Sequence, residues 1–232
     1  MVSHGSVTAS PAVPERVRRY LERNLATDAA PQRVRLRQVG EMQLKPGRWL
    51  SFTAEQEVTI PRVAFCWRAQ FRLAPCISLH VDDWYRDERG GLDGRLRGRL
   101  PVMRARGGDV ARAEAMRYLA ELPWAPQAMA RNDALTWHER DAQTVEVATS
   151  VGGTPASVLL TFDAAGDIVA ASSSARPRRV GKQIVETPFT GVYRDYEELA
   201  GVRMPTRAEV SWLLPDGPFT YFRGCVTAAC FE

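Results

Sequence analysis

Lysine is nearly absent from this chain of 232 residues: of 31 basic side chains, only Lys45 and Lys182 are not arginine. The formal net charge is +4, and the bias toward arginine reads as genome composition more than as a nucleic-acid footprint. Seven arginines lie between Arg86 and Arg106, interrupted by Asp87, Glu88 and Asp93. No aromatic residues are interleaved through the core of that stretch for bases to stack on, so it reads as a solvated strand face and no nucleic-acid partner is expected. Histidine is almost as scarce, with His80 and His138 the only ones beyond the N-terminal tail. The four cysteines, Cys66, Cys76, Cys225 and Cys230, include no C-x-x-C pair, which argues against a zinc site; they read as small apolar core residues. No apolar run approaches the ~18 residues that span a bilayer. The opening MVSHGSVTASPAVPERVRRYL lacks a basic segment followed by an apolar one, so it does not read as a secretory signal, and cytoplasmic residence is expected. There is no G-x-S-x-G, no G-x-x-x-x-G-K-[ST], no G-x-G-x-x-G and no H-E-x-x-H. No cofactor and no metal are therefore expected.

What is present is an ordinary globular composition, 45% hydrophobic and 25% charged, which argues against extended disorder. Residues 1–13 are small, polar and proline-containing and are expected to form a disordered tail, with residues 14–232 a single domain. Pro14 suits the start of a helix, and Val17, Tyr20, Leu21 and Leu25 form one apolar stripe through Leu25. From Arg33 the period changes from 3.6 to 2: Val34, Leu36 and Met42 alternate with Arg33, Arg35, Arg37 and Glu41. Similar alternation runs through Leu50–Ile60, Val63–Leu73 and Ile77–Val81, separated by the turn signals KPG, IPR and DERGG, so antiparallel hairpins are expected. Leu92–Val102 reads as one strand with glycines at 94 and 98 on its apolar face, where another element approaches or the sheet bends. Gly107-Gly108 breaks the pattern, and Asp109 opens a helix to about Leu122, limited by Pro123 and Pro126. With Trp124 and Met129, residues 109–130 form a candidate lid. Strands then resume to the C-terminus, about ten in all. The expected class is α+β: a long curved antiparallel β-sheet, half-barrel or barrel-like, with an N-terminal helix and a mid-chain helical lid.

Two resemblances accompany these residues. An N-terminal helix, successive long hairpins, a central helical insertion and a final hairpin set containing FDAAGDI, Phe162–Ile168, make an order similar to the periplasmic lipoprotein-carrier superfamily, the LolA/LolB-like half-barrels. The segments Arg117–Glu121, Trp124–Pro126, Leu135–Trp137, Tyr193–Tyr196, Gly201–Pro205 and Glu209–Trp212 resemble an uncharacterised bacterial domain family of unknown function, from Pro14 to nearly the end of the chain. The resemblance implies an apolar concave face closed by helices, and no chemistry.

Polar residues on the apolar face of a strand need a reason, because each costs about 1–3 kcal/mol if buried without a partner. Alternation singles out Gln38, Gln56, Asp83, Tyr85, Glu139, Tyr221 and Arg223 as such exceptions, with Trp67, Trp137 and Trp212 sharing those faces and Trp124 at the lid. Aromatic walls with a few convergent polar groups describe a small-molecule pocket. The expected partner is thus an apolar or lipid-like small molecule, with Gln38, Gln56, Trp67, Trp124, Trp137, Trp212, Tyr221 and Arg223 as binding residues. The alternative is a cofactor-independent enzyme of cyclase or isomerase type, with Asp83, Glu139 and Tyr85 as acid–base groups. His80 and His138 alternate onto the opposite face, and Glu121 falls either at the mouth or in solvent.

Overall fold

The structure is a computed structural model that describes residues 13–25 and 30–232. The expected disordered tail lies outside these residues except for Val13, which is buried. Helix α1, Glu15–Asn24, buries Val17, Tyr20, Leu21 and Asn24 at the i, i+3, i+4, i+7 spacing of one helix face. Pro14 occupies its N-cap position, and Glu15 in the first turn pairs with Arg18 and Arg19.

Among the described residues thirteen strands follow: β1 Arg33–Lys45, β2 Arg48–Thr59, β3 Ala64–Ala74, β4 Ile77–Arg86, β5 Arg89–Leu96, β6 Leu100–Arg106, β7 Thr136–Glu139, β8 Thr144–Val151, β9 Thr154–Phe162, β10 Ile168–Val180, β11 Gln183–Leu199, β12 Val202–Leu214 and β13 Gly217–Phe231. They form one antiparallel sheet, curled into a half-barrel, in the order β6-β5-β4-β3-β2-β1-β13-β12-β11-β10-β9-β8-β7. Every neighbouring pair is a hairpin except β1 with β13, which joins the two meanders. The sheet's two edges, β6 and β7, are therefore consecutive in sequence. The chain between them must cross from one edge to the other, and it does so over the inner face as α2 (Gly108–Ala120), a 3-10 turn at Leu122–Trp124 and α3 (Pro126–Arg131).

This crossing is the centre of the core. Eight residues of α2 are buried, on more than one side of the helix, and α2 packs on strands from both meanders, β5 and β4 on one side, β9 and β10 on the other. Gly90 permits that approach: a Cβ there would lie 2.7 Å from the Ala111 Cα.

Two expectations change here. The single strand read at Leu92–Val102 is a hairpin of β5 and β6. Arg97 and Gly98 both take positive φ, 51° and 70°, and the Arg99 amide donates to the Leu96 carbonyl at 3.1 Å. Those are the features of a two-residue turn whose twist matches its strands, and the regular alternation on either side conceals it. The cysteines are all free thiols, and none is fully buried: Cys66 and Cys225 are half-buried, Cys76 and Cys230 exposed.

Candidate functional site

Alternation places Gln38 on β1, Gln56 on β2, Trp67 on β3 and Asp83 on β4 on the inner face, beneath α2. Their polar atoms form a continuous chain of hydrogen bonds. The Trp67 indole donates to Gln38 Oε1 at 2.8 Å, Gln38 Nε2 to Gln56 Oε1 at 3.0 Å, and Gln56 Nε2 to Glu121 Oε2 at 2.5 Å. Glu121 and Arg117 stand one turn apart on the helical segment, where i, i+4 neighbours meet, and Arg117 Nε donates to Glu121 Oε1 at 2.8 Å. Arg117 Nη1 reaches Asp83 Oδ2 at 2.5 Å, and its guanidinium lies 5.0 Å from the ring centroids of both Phe65 and Trp67.

The electrostatics follow from burial. Desolvation pushes the Asp83 carboxyl above its ordinary range against the pull of Arg117. It pushes Glu114, on α2 and near Asp83, well above its range. Burial also works against the Arg117 cation, but Glu121, Asp83 and Glu114 outweigh it and hold the guanidinium charged. Among the described residues, Asp83 Oδ1 and Glu114 Oε2 have no hydrogen-bond partner.

Beside this network is a cavity of about 220 Å³ between the helical crossing and β11–β13. Trp124, Phe189, Tyr193, Val210 and Phe222 supply its apolar walls, and Asp83, Arg117, Glu121, Arg176 and Tyr221 its polar lining. Trp124 is fixed by its indole donating to the Pro205 carbonyl at 2.9 Å, and Tyr193 by its hydroxyl donating to the Ala120 carbonyl at 2.5 Å. Arg176 comes from β10, where a bulge between Ser173 and Arg176 adds one residue relative to β11. It is buried, with its Nε on the Ala113 carbonyl at 3.3 Å and its Nη1 on the Tyr221 hydroxyl at 3.4 Å.

The sequence-based candidates divide accordingly. Gln38, Gln56, Trp67 and Asp83 meet in the network, while Asp83, Trp124 and Tyr221 line the cavity. Trp212 stacks on Tyr221 with centroids 5.5 Å apart. Trp67, Trp137 and Trp212 all take the inner face, although Trp137 is half-buried on the edge strand β7. Tyr85 is buried on the same face, and desolvation pushes its hydroxyl up to about 12, but it sits toward the β4–β5 turn and does not line the cavity.

Two placements are corrected. Glu139 shares the inner face of β7 with Trp137 but ends the strand exposed, in a surface groove with Glu15 and Arg16 of α1. Arg223 is on the outer face, where its Nη1 is 3.3 Å from Glu41 and its guanidinium is 4.6 Å from the Trp49 ring centroid. The cause is a bulge: Val210 pairs with Phe222 but Ser211 with Thr220, leaving Tyr221 as the extra residue, so Phe222 points inward and Arg223 outward. His80 and His138 lie off the inner face, as read, with His80 against the Ser78 hydroxyl.

Arg117, Glu114 and Arg176 were not singled out in the sequence. The Arg117–Glu121 spacing was a readable signal on a helix set between apolar residues. Arg176 had none, because strict alternation from Ala171 and Ser173 turns it outward and only the bulge brings it in.

Residues 6–224 match a family of unknown function, DUF6544. The chain belongs to that family. Among curated proteins none shows significant similarity to it. Among solved structures, a LolA superfamily protein from Nitrosomonas europaea is similar over 88% of each chain, at 11% identity and a TM-score of 0.45. Among the described residues, no helix is long and apolar enough to cross a membrane, and no cluster of three or more metal-ligating side chains occurs.

Proposed function

We propose that this protein binds an apolar or lipid-like small molecule in the cavity between its helical crossing and strands β11–β13. One observation carries the reading: a mainly apolar void of about 220 Å³ with buried charged groups in its lining. Its size limits the occupant. It exceeds the ~150 Å³ that holds a benzene and falls below the ~300–1,000 Å³ of drug-sized pockets, so it suits one short chain or a small ring system and not a multiply acylated lipid.

The test fills the void from its wall. Val210 is half-buried and lines the cavity, so Val210→Trp should occupy it with an indole. Titration with the neutral fluorophore N-phenyl-1-naphthylamine is expected to show binding to the wild type and at least about tenfold weaker binding to the variant. Equal affinities would place the fluorophore elsewhere and remove the support for this site.

A further inference from the structure

The two cations of the cavity differ in their surroundings. Arg117 is ion-paired twice, with Asp83 and Glu121 both on its guanidinium. Arg176 is also buried, yet among the described residues no carboxylate lies within ion-pair distance of it. Its two hydrogen bonds, to the Ala113 carbonyl and the Tyr221 hydroxyl, are long at 3.3 and 3.4 Å. A guanidinium has five N–H donors, so most of this one's capacity is unused. Its other contacts are the faces of Phe189 and Trp212, at 5.2 and 5.5 Å. Two residues on, Arg178 is also 5.5 Å from the Trp212 ring centroid and, among the described residues, likewise lacks an acidic partner. Burying an unpaired charge is costly unless a counter-charge arrives, and a guanidinium fork fits a planar or tetrahedral oxyanion through two parallel hydrogen bonds.

We infer that the occupant is a small amphiphile with an oxyanion head, a carboxylate or a phosphate monoester, received by Arg176 with Arg178 beside it. This rests on the reading of the cavity as a binding site. The tail runs along Trp124, Phe189 and Val210, where the lining is apolar. The nearby acids do not compete for the head's position: Asp83 and Glu121 are engaged by Arg117, and burial favours the proton on Glu114. The asymmetry is geometric: one cavity cation has two carboxylates in direct contact, while Asp83 and Glu114 act on the other only from beyond ion-pair distance.

The experiment displaces N-phenyl-1-naphthylamine from the full-length protein with four amphiphiles of equal chain length: octanoate, octyl phosphate, octan-1-ol and octylamine. Octanoate or octyl phosphate should displace at roughly ten- to hundredfold lower concentration than the alcohol, the range of a charge-assisted hydrogen bond, and the amine should be weakest. Which of the two acids is stronger identifies the head. Arg176→Gln should collapse the preference for acids over the alcohol, and Arg176→Lys should retain part of it. Should Arg176→Gln fail to fold, the wild-type series decides alone. If octan-1-ol matches the acids, the oxyanion assignment is overturned while the cavity stands. If none of the four displaces a fluorophore that also binds Val210→Trp normally, the cavity reading falls with it.

Discussion

Asp83 is the residue on which the choice between carrier and catalyst turns. Of the three acid–base candidates it alone lines the cavity: Glu139 is exposed at the sheet edge and Tyr85 lies toward a turn. Its carboxyl is raised by burial, the direction that tunes a carboxyl for acid–base work. The same burial and the Arg117 partner equally suit a structural ion pair. Asp83→Asn separates the two roles. Arg117 keeps Glu121, so the variant should fold and bind N-phenyl-1-naphthylamine within a fewfold of the wild type. A catalytic Asp83 would cost about 10²–10⁴-fold in turnover with binding retained. The measurement pairs fluorescence titration with mass spectrometry of a bound ligand before and after incubation. Recovery of every wild-type ligand unchanged would eliminate the acid–base role, and Glu139→Gln serves as the exposed control.

Among the elements, α2 fixes the geometry of everything polar, because it delivers Arg117 to the inner face just ahead of Glu121 and packs on both meanders. Its closest constraint is Gly90, where a Cβ would come 2.7 Å from the Ala111 Cα and 3.2 Å from the Ala111 nitrogen. Backbone cannot yield as a flexible side chain does, so Gly90→Ala should displace the helix at about 1–3 kcal/mol, the usual range for overpacking. Hydrogen exchange should quicken across Gly108–Ala120 and remain unchanged in β2 and β3; uniform protection throughout would refute this dependence on Gly90. The same elements show what the sequence could disclose. Strand period and hairpin turns were legible because burial on one face writes itself into alternation, and the central helix because glycines and prolines bound it, although it starts at Gly108 with Gly107 and not Asp109 as its N-cap. That alternation brought Gln38, Gln56, Trp67 and Asp83 to the inner face correctly. It failed at two insertions: the β13 bulge at Tyr221 sent Arg223 outward, and the β10 bulge turned Arg176 inward. A bulge changes parity without any marker in composition. The turn at Arg97-Gly98 escaped for the complementary reason, since a tight hairpin with a compatible twist leaves the apolar spacing intact on both sides.

For the whole molecule, the helices close on the sheet through charged groups whose responses to pH have opposite signs. Near α1, burial pushes the Asp167 carboxyl up, but Arg203, bonded to its two oxygens at 2.7 and 2.8 Å, and Arg23 outweigh it and hold it below 3.8. A depressed carboxyl stabilises the fold above its unfolded value, and that contribution is lost as pH falls through the folded value. Where α2 meets β4 the sign reverses. Burial holds Glu114 well above 4.5 and raises Asp83 above 3.8, so the folded chain retains protons that the unfolded chain releases. Their contribution is fully present below the unfolded values and declines as pH rises toward the folded ones. Wild-type Tm should therefore decline from mildly acidic toward alkaline pH. Glu114→Gln, neutral at every pH, should lessen that decline, with a gain in Tm that grows with pH and vanishes at 4.5 and below. Asp167→Asn should behave in the opposite way, losing Tm at neutral pH and matching the wild type once Asp167 is protonated in both states. Thermal melts of the three proteins across the range decide it. Wild-type and Glu114→Gln curves that stay parallel from about pH 5 to about pH 8 would show that Glu114 ionises as freely in the folded chain as in the unfolded one, and that α2 does not seal it from water.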